Sequence, residues 1–342
     1  MANKRFIIIS LLFILAAGLV FVWQKSDRTI EIEVKNQLAQ LPIPAEGEGL
    51  SPLSGLSCQN YQQRPLAVVL ANDPVTRSLF GLSEADLIIE MPVITNSITR
   101  LMAFFVCNQP EKIGSLRSSR HDFIPLAQGL DAILVHWGGS HFALDKLDAG
   151  IMDNIDALKN PYNSFYRDSS KPQPHNGFTS IERLTGAASK LNYRSTNLFE
   201  GYSFIGENNQ DAVNRVLKIG YPRPYYVSYQ YDSGTNSYLR YRDNLREMDA
   251  NNDRQIEAKN IVVMRVFSKQ IEGPDYNDLD LEGSGQCQIY QNGRVLDCTW
   301  QKSEIKPFSK LKFIDDDGQE IPFVSGQTWI EIVEPNQEVT WN

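Results

Sequence analysis

The sequence predicts an α/β domain with a mixed sheet, followed by a β-rich domain, behind an N-terminal transmembrane helix. Between residues 58 and 204, short apolar runs of β-forming residues alternate with helical patterns, which is typical of α/β domains. From residue 205 onward, alternating runs separated by turn residues predict mainly strands. At 342 residues, the chain is long enough for two domains of ordinary size.

The N-terminal segment predicts a membrane anchor. An uncharged stretch of 18 residues, 6–23, follows two basic residues, and at about 1.5 Å per residue it just spans a bilayer core of roughly 30 Å. We therefore expect residues 1–5 to form a cytoplasmic tip and the bulk of the chain to be extracytoplasmic, attached to the cell membrane by a single pass. A cleaved signal peptide is the alternative, because the small residues at 16–18 could precede a cleavage site. No lipidated cysteine is expected, since Leu19 follows "LAAG".

Residues 24–57 predict a linker, because Pro, Gly and Ser occur there without apolar periodicity. In the α/β domain we predict strands at 65–72, 85–93, 99–107 and 131–137, and helices at 121–130, 141–150 and from a Thr179–Glu182 capping box to about 191. In the β-rich domain we predict one helix near 209–220, followed by strands and an Asn-Gly hairpin.

Four cysteines, an even number, suit the oxidising compartment that the anchor predicts. In "CQIYQNGRVLDC", a two-residue turn at Asn-Gly places Cys287 opposite Cys298, at a separation that a disulfide accepts. Cys58 and Cys107 would then pair by elimination. Four reduced, buried thiols are the alternative, and the absence of C-x-x-C spacing gives no indication of a metal site.

The net charge of −8 argues against binding to nucleic acid, because a binder of phosphates normally carries a basic face. No cofactor motif and no metal motif is found. All four histidines fall between residues 121 and 175, so we expect any chemistry of the chain to lie in that window.

The candidate site combines three short stretches of this window, "GSLRSSRHD", "VHWGGSH" and "SFYRDSSKPQPHN". The arginines are predicted to clamp an anion, because guanidinium groups suit carboxylate and phosphate. The histidines are predicted to act as hydrogen-bonding or acid–base groups, with Asp168 orienting one of them. The residues that we assign to these roles are Arg117, Arg120, Arg167 and Asn176 for the ligand, and His136, His175 and Asp168 for catalysis.

The same residues are also compatible with different roles. The arginines could be solvated surface charges, and His136 could be a satisfied core histidine. A serine hydrolase would need Ser118 or Ser119 to act with His121, but no G-x-S-x-G motif occurs. A zinc site made by several histidines and Asp168 would lack a recognised spacing.

A series of motifs occurs in a fixed order along the chain: "SPLSGL", "RPLAVVLAN", "GLSEADLIIEMPV", "ITRLMAFF", "EKIGSLRSSR", "HWGGS", "YRDSSKPQPHN", "GSGQCQIYQNG", "CTWQK" and "GQTWIEIV". In these motifs and their order, the chain resembles the YerB-like family of bacterial lipoproteins of unknown function. The resemblance implies an extracytoplasmic, membrane-attached protein and adds Asn72, Glu90 and Arg100 to the candidate ligand-binding residues. It assigns no reaction, and the missing lipobox cysteine is a departure from the family pattern.

Two functions follow as expectations. The first is an anchored envelope protein that binds an anionic or glycan-like ligand in a pocket of arginines and histidines. In the enzymatic form of this hypothesis, the protein also processes the ligand. The second is a non-enzymatic scaffold or interaction protein of the envelope, in which the same polar residues satisfy one another in a buried network. No protein partner is indicated.

Overall fold

The computed structural model describes residue 41 and residues 43–209 and 212–342. The predicted anchor at residues 6–23 lies outside this part of the chain. Among the described residues, no helix is both long enough and apolar enough to cross a membrane.

The first half of the described chain contains ten strands and three α-helices. They are β1 (Gly49–Leu50), β2 (Ser57–Cys58), β3 (Leu66–Leu70), β4 (Leu87–Pro92), β5 (Thr99–Phe105), β6 (Ile113–Gly114), α1 (Phe123–Gly129), β7 (Ile133–His136), α2 (His141–Asp148), β8 (Asn154–Asp156), β9 (Tyr166–Arg167), β10 (Gly177–Thr179) and α3 (Ile181–Lys190). The strands predicted at 65–72, 85–93, 99–107 and 131–137 and all three predicted helices are present with shifted ends.

The second half of the described chain is built from strands. They are β11 (Phe204–Ile205), β12 (Val216–Ile219), β13 (Val227–Asp232), β14 (Ser237–Arg242), β15 (Leu245–Arg246), β16 (Glu257–Ala258), β17 (Asn260–Arg265), β18 (Ser268–Glu272), β19 (Tyr276–Leu279), β20 (Gly283–Gln291), β21 (Arg294–Lys302), β22 (Lys312–Ile314), β23 (Phe323–Val324), β24 (Thr328–Val333) and β25 (Val339–Trp341). The fold is therefore mixed and sheet-rich, with few helices.

A ten-stranded sheet runs through both halves of the chain. Its strand order is β22-β21-β20-β17-β24-β4-β5-β3-β7-β8. The halves join where β24 pairs in parallel with β4, so that Glu331 lies directly beside Glu90. The sheet is mixed, because β4, β5 and β3 pair antiparallel to one another while β7 runs parallel to β3. The hydrogen-bonded junction makes the two halves one continuous structure.

A second sheet packs on one face of the large sheet. It follows the order β15-β14-β13-β12-β25, with β16 paired to β14. Its buried residues, such as Tyr229 and Tyr238, share a core with Trp329 of the large sheet and with Leu184 of α3. The opposite face of the large sheet packs against α1 in a separate core. Apolar cores on both faces explain why the central strands read as continuous apolar runs.

The predicted helix at 209–220 is wrong, because the described part of this segment contains strand β12. Leu217 and Ile219 are buried, whereas Lys218 between them is exposed. This alternation of buried and exposed side chains is typical of a strand, and β12 pairs with β13 on one side and with β25 on the other. Tertiary pairing therefore overrides the helical preference of the local sequence.

Residues 49–57, which we placed in the linker, pack on the core. Leu53 is buried, and the hydroxyl groups of Ser51 and Ser54 both donate hydrogen bonds to Oδ1 of Asp86, at 2.8 and 2.6 Å. The cap of α3 also differs by one residue from the predicted capping box. Ser180, not Thr179, caps the helix by accepting a hydrogen bond from the backbone N–H of Arg183.

Both predicted disulfides are present. Cys287 and Cys298 are directly opposed in the β20–β21 hairpin, with their Cα atoms 4.8 Å apart. The turn residue Asn292 and its neighbouring glycine both have positive φ angles, as a type I′ turn requires. The Cys58–Cys107 bond connects β2 with the segment after β5.

Candidate functional site

The candidate site lies at the carboxyl edge of β3 and β7, where polar loops meet. The extended segment 115–119 runs between the ends of these two strands, because the backbone N–H of Arg117 bonds Val69 and its carbonyl accepts from Trp137. Strand β5 is antiparallel to β3, so its first residues lie at the same edge. This is the edge at which open α/β sheets present binding groups.

Three arginines approach one another at this edge, and we call them the arginine cluster: Arg100, Arg117 and Arg120. The guanidinium of Arg100 donates to the carbonyl of Ser118 at 2.6 Å. Burial, followed by the charges of Arg120 and Arg117, lowers the pKa of Arg100 to about 9. The guanidinium groups of Arg100, Arg117 and Arg120 therefore repel one another in a partly desolvated environment, where solvent screens the repulsion only weakly.

The carboxylate of Asp73 faces Arg100 and Arg117, whereas Arg120 interacts with Asp122 and Asp275. Oδ2 of Asp73 lies 3.6 Å from Nε of Arg117 and 3.9 Å from Nδ1 of His175. Burial and then the charge of Asp73 raise the pKa of Tyr225, which lies near this carboxylate. Burial and the charge of Arg117 lower the pKa of His175, although Asp73 opposes this effect. Asp73 is therefore shared among several donors and balances only part of the positive charge.

Several nitrogens at this edge form no hydrogen bond within the described part of the chain, although two of them lie within 4 Å of the Asp73 carboxylate. These buried nitrogens are Nε of Arg117, Nε of Arg120 and Nδ1 of His175. Solvent reaches these groups only in part, since the side chain of Arg117 is 22% exposed and that of His175 is 14% exposed. Arg120 rests on the ring of Tyr276, 5.4 Å from its centroid. Convergent, unpaired guanidinium donors of this kind are suited to binding a carboxylate or a phosphate.

His136 has a different environment from His175. Its ring is fully buried, with Nδ1 lying 2.8 Å from the carbonyl of Gly138 and Nε2 lying 3.2 Å from Oδ1 of Asn154. Both ring nitrogens therefore have protein partners, and these contacts fix the chain as it leaves β7. This arrangement is that of a structural histidine.

Arg167, Asp168 and Asn176 form contacts of their own in the β9–β10 region. Arg167 donates to Oδ1 of Asn176 at 2.6 Å and stacks on the ring of Trp137, 4.5 Å from its centroid. Asp168 accepts from Lys112 at 2.6 Å, and this hydrogen bond lowers its pKa. The carboxylate of Asp168 thus bonds Lys112 and a neighbouring serine rather than a histidine.

Asn72 and Glu90 belong to a buried network at the junction of the two halves. Asn72 donates to Oε1 of Glu90 at 2.8 Å and to Oγ1 of Thr99 at 2.6 Å. We use the name charge network for the ionic residues of this region: Glu90, Arg240, Arg242, Glu247 and Glu331. All of them are buried.

Two arginines of the second sheet neutralise the opposed glutamates of the large sheet. Arg242 contacts both oxygens of Glu90 at 2.7 Å, and Arg240 bonds Glu90, Glu247 and Glu331. Burial raises the pKa of Glu90, but Arg242 and Arg240 outweigh burial and hold it below its usual value. Burial raises the pKa of Glu331, whose Oε2 has no partner among the described residues. A protonated Glu331 would leave two arginines balanced by two carboxylates.

Sequence patterns alone did not identify Arg240, Arg242, Asp73 and Tyr225. A signal existed for the first two, because "SYLRYR" places Tyr238, Arg240 and Arg242 on one face of a strand. An arginine that shares a face with a buried tyrosine indicates a buried ion pair. No local pattern indicated the role of Asp73, which depends on its position after β3.

Comparisons with known proteins agree with this architecture. Residues 53–194 match the N-terminal domain, and residues 217–330 the C-terminal domain, of a family model described as a protein of unknown function (DUF3048). The chain is 33% identical over 299 residues to "Putative lipoprotein YerB" of Bacillus subtilis (strain 168), covering 83% of this chain and 86% of that protein. It also matches the crystal structure of the YerB protein from Bacillus subtilis, with a TM-score of 0.78 and 30% identity, over 86% of this chain and 99% of that one.

The continuous mixed sheet and the two matched domains define a two-domain, sheet-rich class of protein. Within that class, the chain belongs to the YerB-like, DUF3048 family. The resemblance inferred from the sequence motifs is thus confirmed.

Proposed function

We propose that this chain is a membrane-attached, extracytoplasmic protein that binds an anionic ligand at the arginine cluster. The observation that carries the proposal is a group of partly desolvated guanidinium donors: Arg100, Arg117 and Arg120 repel one another, and Nε of Arg117 and Nε of Arg120 have no hydrogen-bond partner among the described residues. A desolvated charge without a counter-charge is costly, and a bound anion would remove that cost.

The ligand that fits best bears carboxylate or phosphate groups, such as an acidic glycan of the envelope. A planar guanidinium pairs with either group through two parallel hydrogen bonds. His175 lies beside Arg117 and would supply a further hydrogen bond to the ligand. Acid–base chemistry by His175 is the enzymatic version of this proposal.

Two features support an extracytoplasmic location. Both disulfides suit an oxidising compartment, and the Bacillus subtilis relative is named a lipoprotein. In this chain, which has leucine where a lipobox needs cysteine, the uncharged segment 6–23 would provide the attachment. Intact mass of the protein extracted from membranes tests this: retention of residues 1–23 is expected, and a mass lacking them would show a cleaved signal peptide.

Isothermal titration calorimetry on the full chain in detergent tests anion binding. We would use pyrophosphate as the phosphate probe and glucuronate as the carboxylate probe, each over a range of salt concentrations. Saturable binding is expected, weakened more than about tenfold by Arg117→Gln or Arg120→Gln, because each change removes a charge-assisted contact.

Arg183→Gln is the matched control, since Arg183 is exposed and bonds a carbonyl away from the cluster. Arg167→Gln tests whether Arg167, which stacks on Trp137, belongs to the binding site. If this variant weakens anion binding as much as the cluster variants do, the site includes β9. Equal binding by wild type and both cluster variants would contradict the proposal.

The scaffold alternative is favoured by one observation, the complete pairing of Glu90 with Arg242, Arg240, Asn72 and Thr99. A structural role is sufficient to account for these residues. His175→Ala separates the two functions at the arginine cluster. Loss of anion binding at an unchanged melting temperature supports a site, whereas a large loss of stability supports a purely structural network.

A further inference from the structure

We infer that the chain binds one divalent metal ion of the zinc class through His121, Asp122 and Asp278. These residues lie in the wall of a cavity of about 560 Å³, lined by α1, by β19 with the segment after it, and by residues near 304–307. The metal site goes beyond the proposed function and does not depend on an anion at the arginine cluster.

The three side chains have the separations that a small cation requires. Nε2 of His121 lies 3.1 Å from Oδ1 of Asp278 and 3.7 Å from Oδ1 of Asp122. In a tetrahedral zinc site with bonds near 2.1 Å, ligand atoms are about 3.4 Å apart. Each residue offers a ligand atom within 4.8 Å of the other two. One ion can therefore contact all three residues.

Unpaired atoms show that protein contacts alone do not complete the group. Asp122 is only 2% exposed, yet its Oδ2 has no hydrogen-bond partner in the described part of the chain. The ring nitrogen of His121 that faces both aspartates is Nε2, so an ion bound there would leave Nδ1 as it is. An ion pair between His121 and Asp278 would explain those two residues but would leave the Asp122 oxygen desolvated at a cost. A cation bound beside Asp122 removes that cost.

The charges of the cavity also favour a cation. Its wall contains one lysine, Lys146, and five acidic residues: Asp122, Asp278, Asp280, Glu282 and Glu304. Lys269 lies 3.3 Å from Oδ2 of Asp278, which leaves Oδ1 directed toward His121. Arg120 is close enough to Asp122 to interact with its charge, and its positive charge opposes a cation there.

The ligand set selects the class of metal. One imidazole nitrogen and two carboxylate oxygens are typical ligands of Zn²⁺, whereas Ca²⁺ prefers oxygen ligands alone. All four cysteines are in disulfides, so no thiolate competes for the ion. The cavity leaves room for a water molecule as a fourth ligand.

Calorimetric titration of Zn²⁺ into the full chain tests this inference. The protein is untagged, held in detergent and stripped with a chelator beforehand, and Ca²⁺ is titrated in parallel. We expect one Zn²⁺ per chain and no comparable heat from Ca²⁺. Asp122→Asn and Asp278→Asn should each weaken Zn²⁺ binding by more than about 100-fold, the upper end of what loss of an outer-shell partner costs.

Two controls keep the result interpretable. His141 lies 3.1 Å from Glu272 at an exposed position and is the competing histidine, so His141→Gln should bind Zn²⁺ as wild type does. Asp278 is one-third exposed, so Asp278→Asn remains a valid test where Asp122→Asn fails to fold. Absence of stoichiometric binding, loss of binding in His141→Gln alone, or unchanged binding in Asp278→Asn would each overturn the inference.

Discussion

The charge network and the arginine cluster both contain buried arginines at one end of the same sheet, but their partners differ. In the charge network, Arg240 and Arg242 meet three glutamates, and Arg242 binds Glu90 through two hydrogen bonds. In the arginine cluster, Arg100 and Arg117 interact with Asp73, and Arg120 forms no salt bridge among the described residues. In the first arrangement the glutamates outnumber the arginines, and the salt bridges join two sheets. In the second, guanidinium nitrogens lack hydrogen-bond partners among the described residues, and the proposed anion site rests on this feature.

The largest expected effect comes from breaking the charge network. Glu90→Gln removes the charge that Arg240 and Arg242 share, so both guanidinium groups lose a buried counter-charge. We expect a loss of about 3–5 kcal/mol in the free energy of unfolding. Chemical denaturation measures it, with Glu338→Gln, at an exposed position, as the control. A loss below about 1 kcal/mol would show that the network contributes little to stability.

Replacing a charged residue of the arginine cluster by glutamine should not lower the free energy of unfolding. Arg120→Gln removes a charge that is repelled by Arg117 and Arg100, and that interacts with Asp122 and Asp275 without a salt bridge among the described residues. We expect the free energy of unfolding to stay the same or to rise by up to about 1 kcal/mol. A clear loss of stability in the same denaturation assay would place Arg120 with the structural arginines.

The effect of an added anion on the melting temperature should depend on the arginine cluster. Pyrophosphate should raise the melting temperature of the wild type, because a ligand that binds only the folded state stabilises it. The rise should vanish in Arg117→Gln. Arg183→Gln should keep it. An equal rise in all three proteins would indicate a general salt effect rather than binding at the cluster.

The smallest expected effect is a pH dependence at His175. Burial and Arg117 lower the pKa of His175 in the folded protein, so the unfolded chain takes up this proton more readily. The His175 contribution to stability is therefore complete above the unfolded pKa of about 6.5 and declines as pH falls through that value. The difference between wild type and His175→Gln in unfolding experiments from pH 7 to pH 5 should show this decline.

A bound anion should change that titration. Negative charge beside His175 favours its protonated form, in the same direction as the existing effect of Asp73. NMR titration of the His175 ring, with and without pyrophosphate, should show a higher pKa in the presence of the ligand. An unchanged titration at saturating ligand would place the anion away from His175.

The fold could be predicted wherever local patterns and tertiary structure agree. Apolar runs marked β3, β4, β5 and β7, and the Asn-Gly turn set the register that opposes Cys287 to Cys298. The helix predicted at 209–220 failed, because β12 is determined by pairing with β13 and β25, which lie elsewhere in the sequence. At the candidate site, Arg117, Arg120 and His175 were identified from the sequence, whereas Asp73 was not.

The sequence by itself determined the strands β3, β4, β5 and β7, the disulfide register and the family, because each of these depends on neighbouring residues or on motif order. Only the tertiary structure decided that Glu331 lies beside Glu90 and that Arg240 reaches both of them, since these three residues come from separate strands. Long-range pairing places them together, and no local pattern records it. For the same reason, the difference between a neutralised arginine and an unneutralised one becomes visible only when the partners of each are in place.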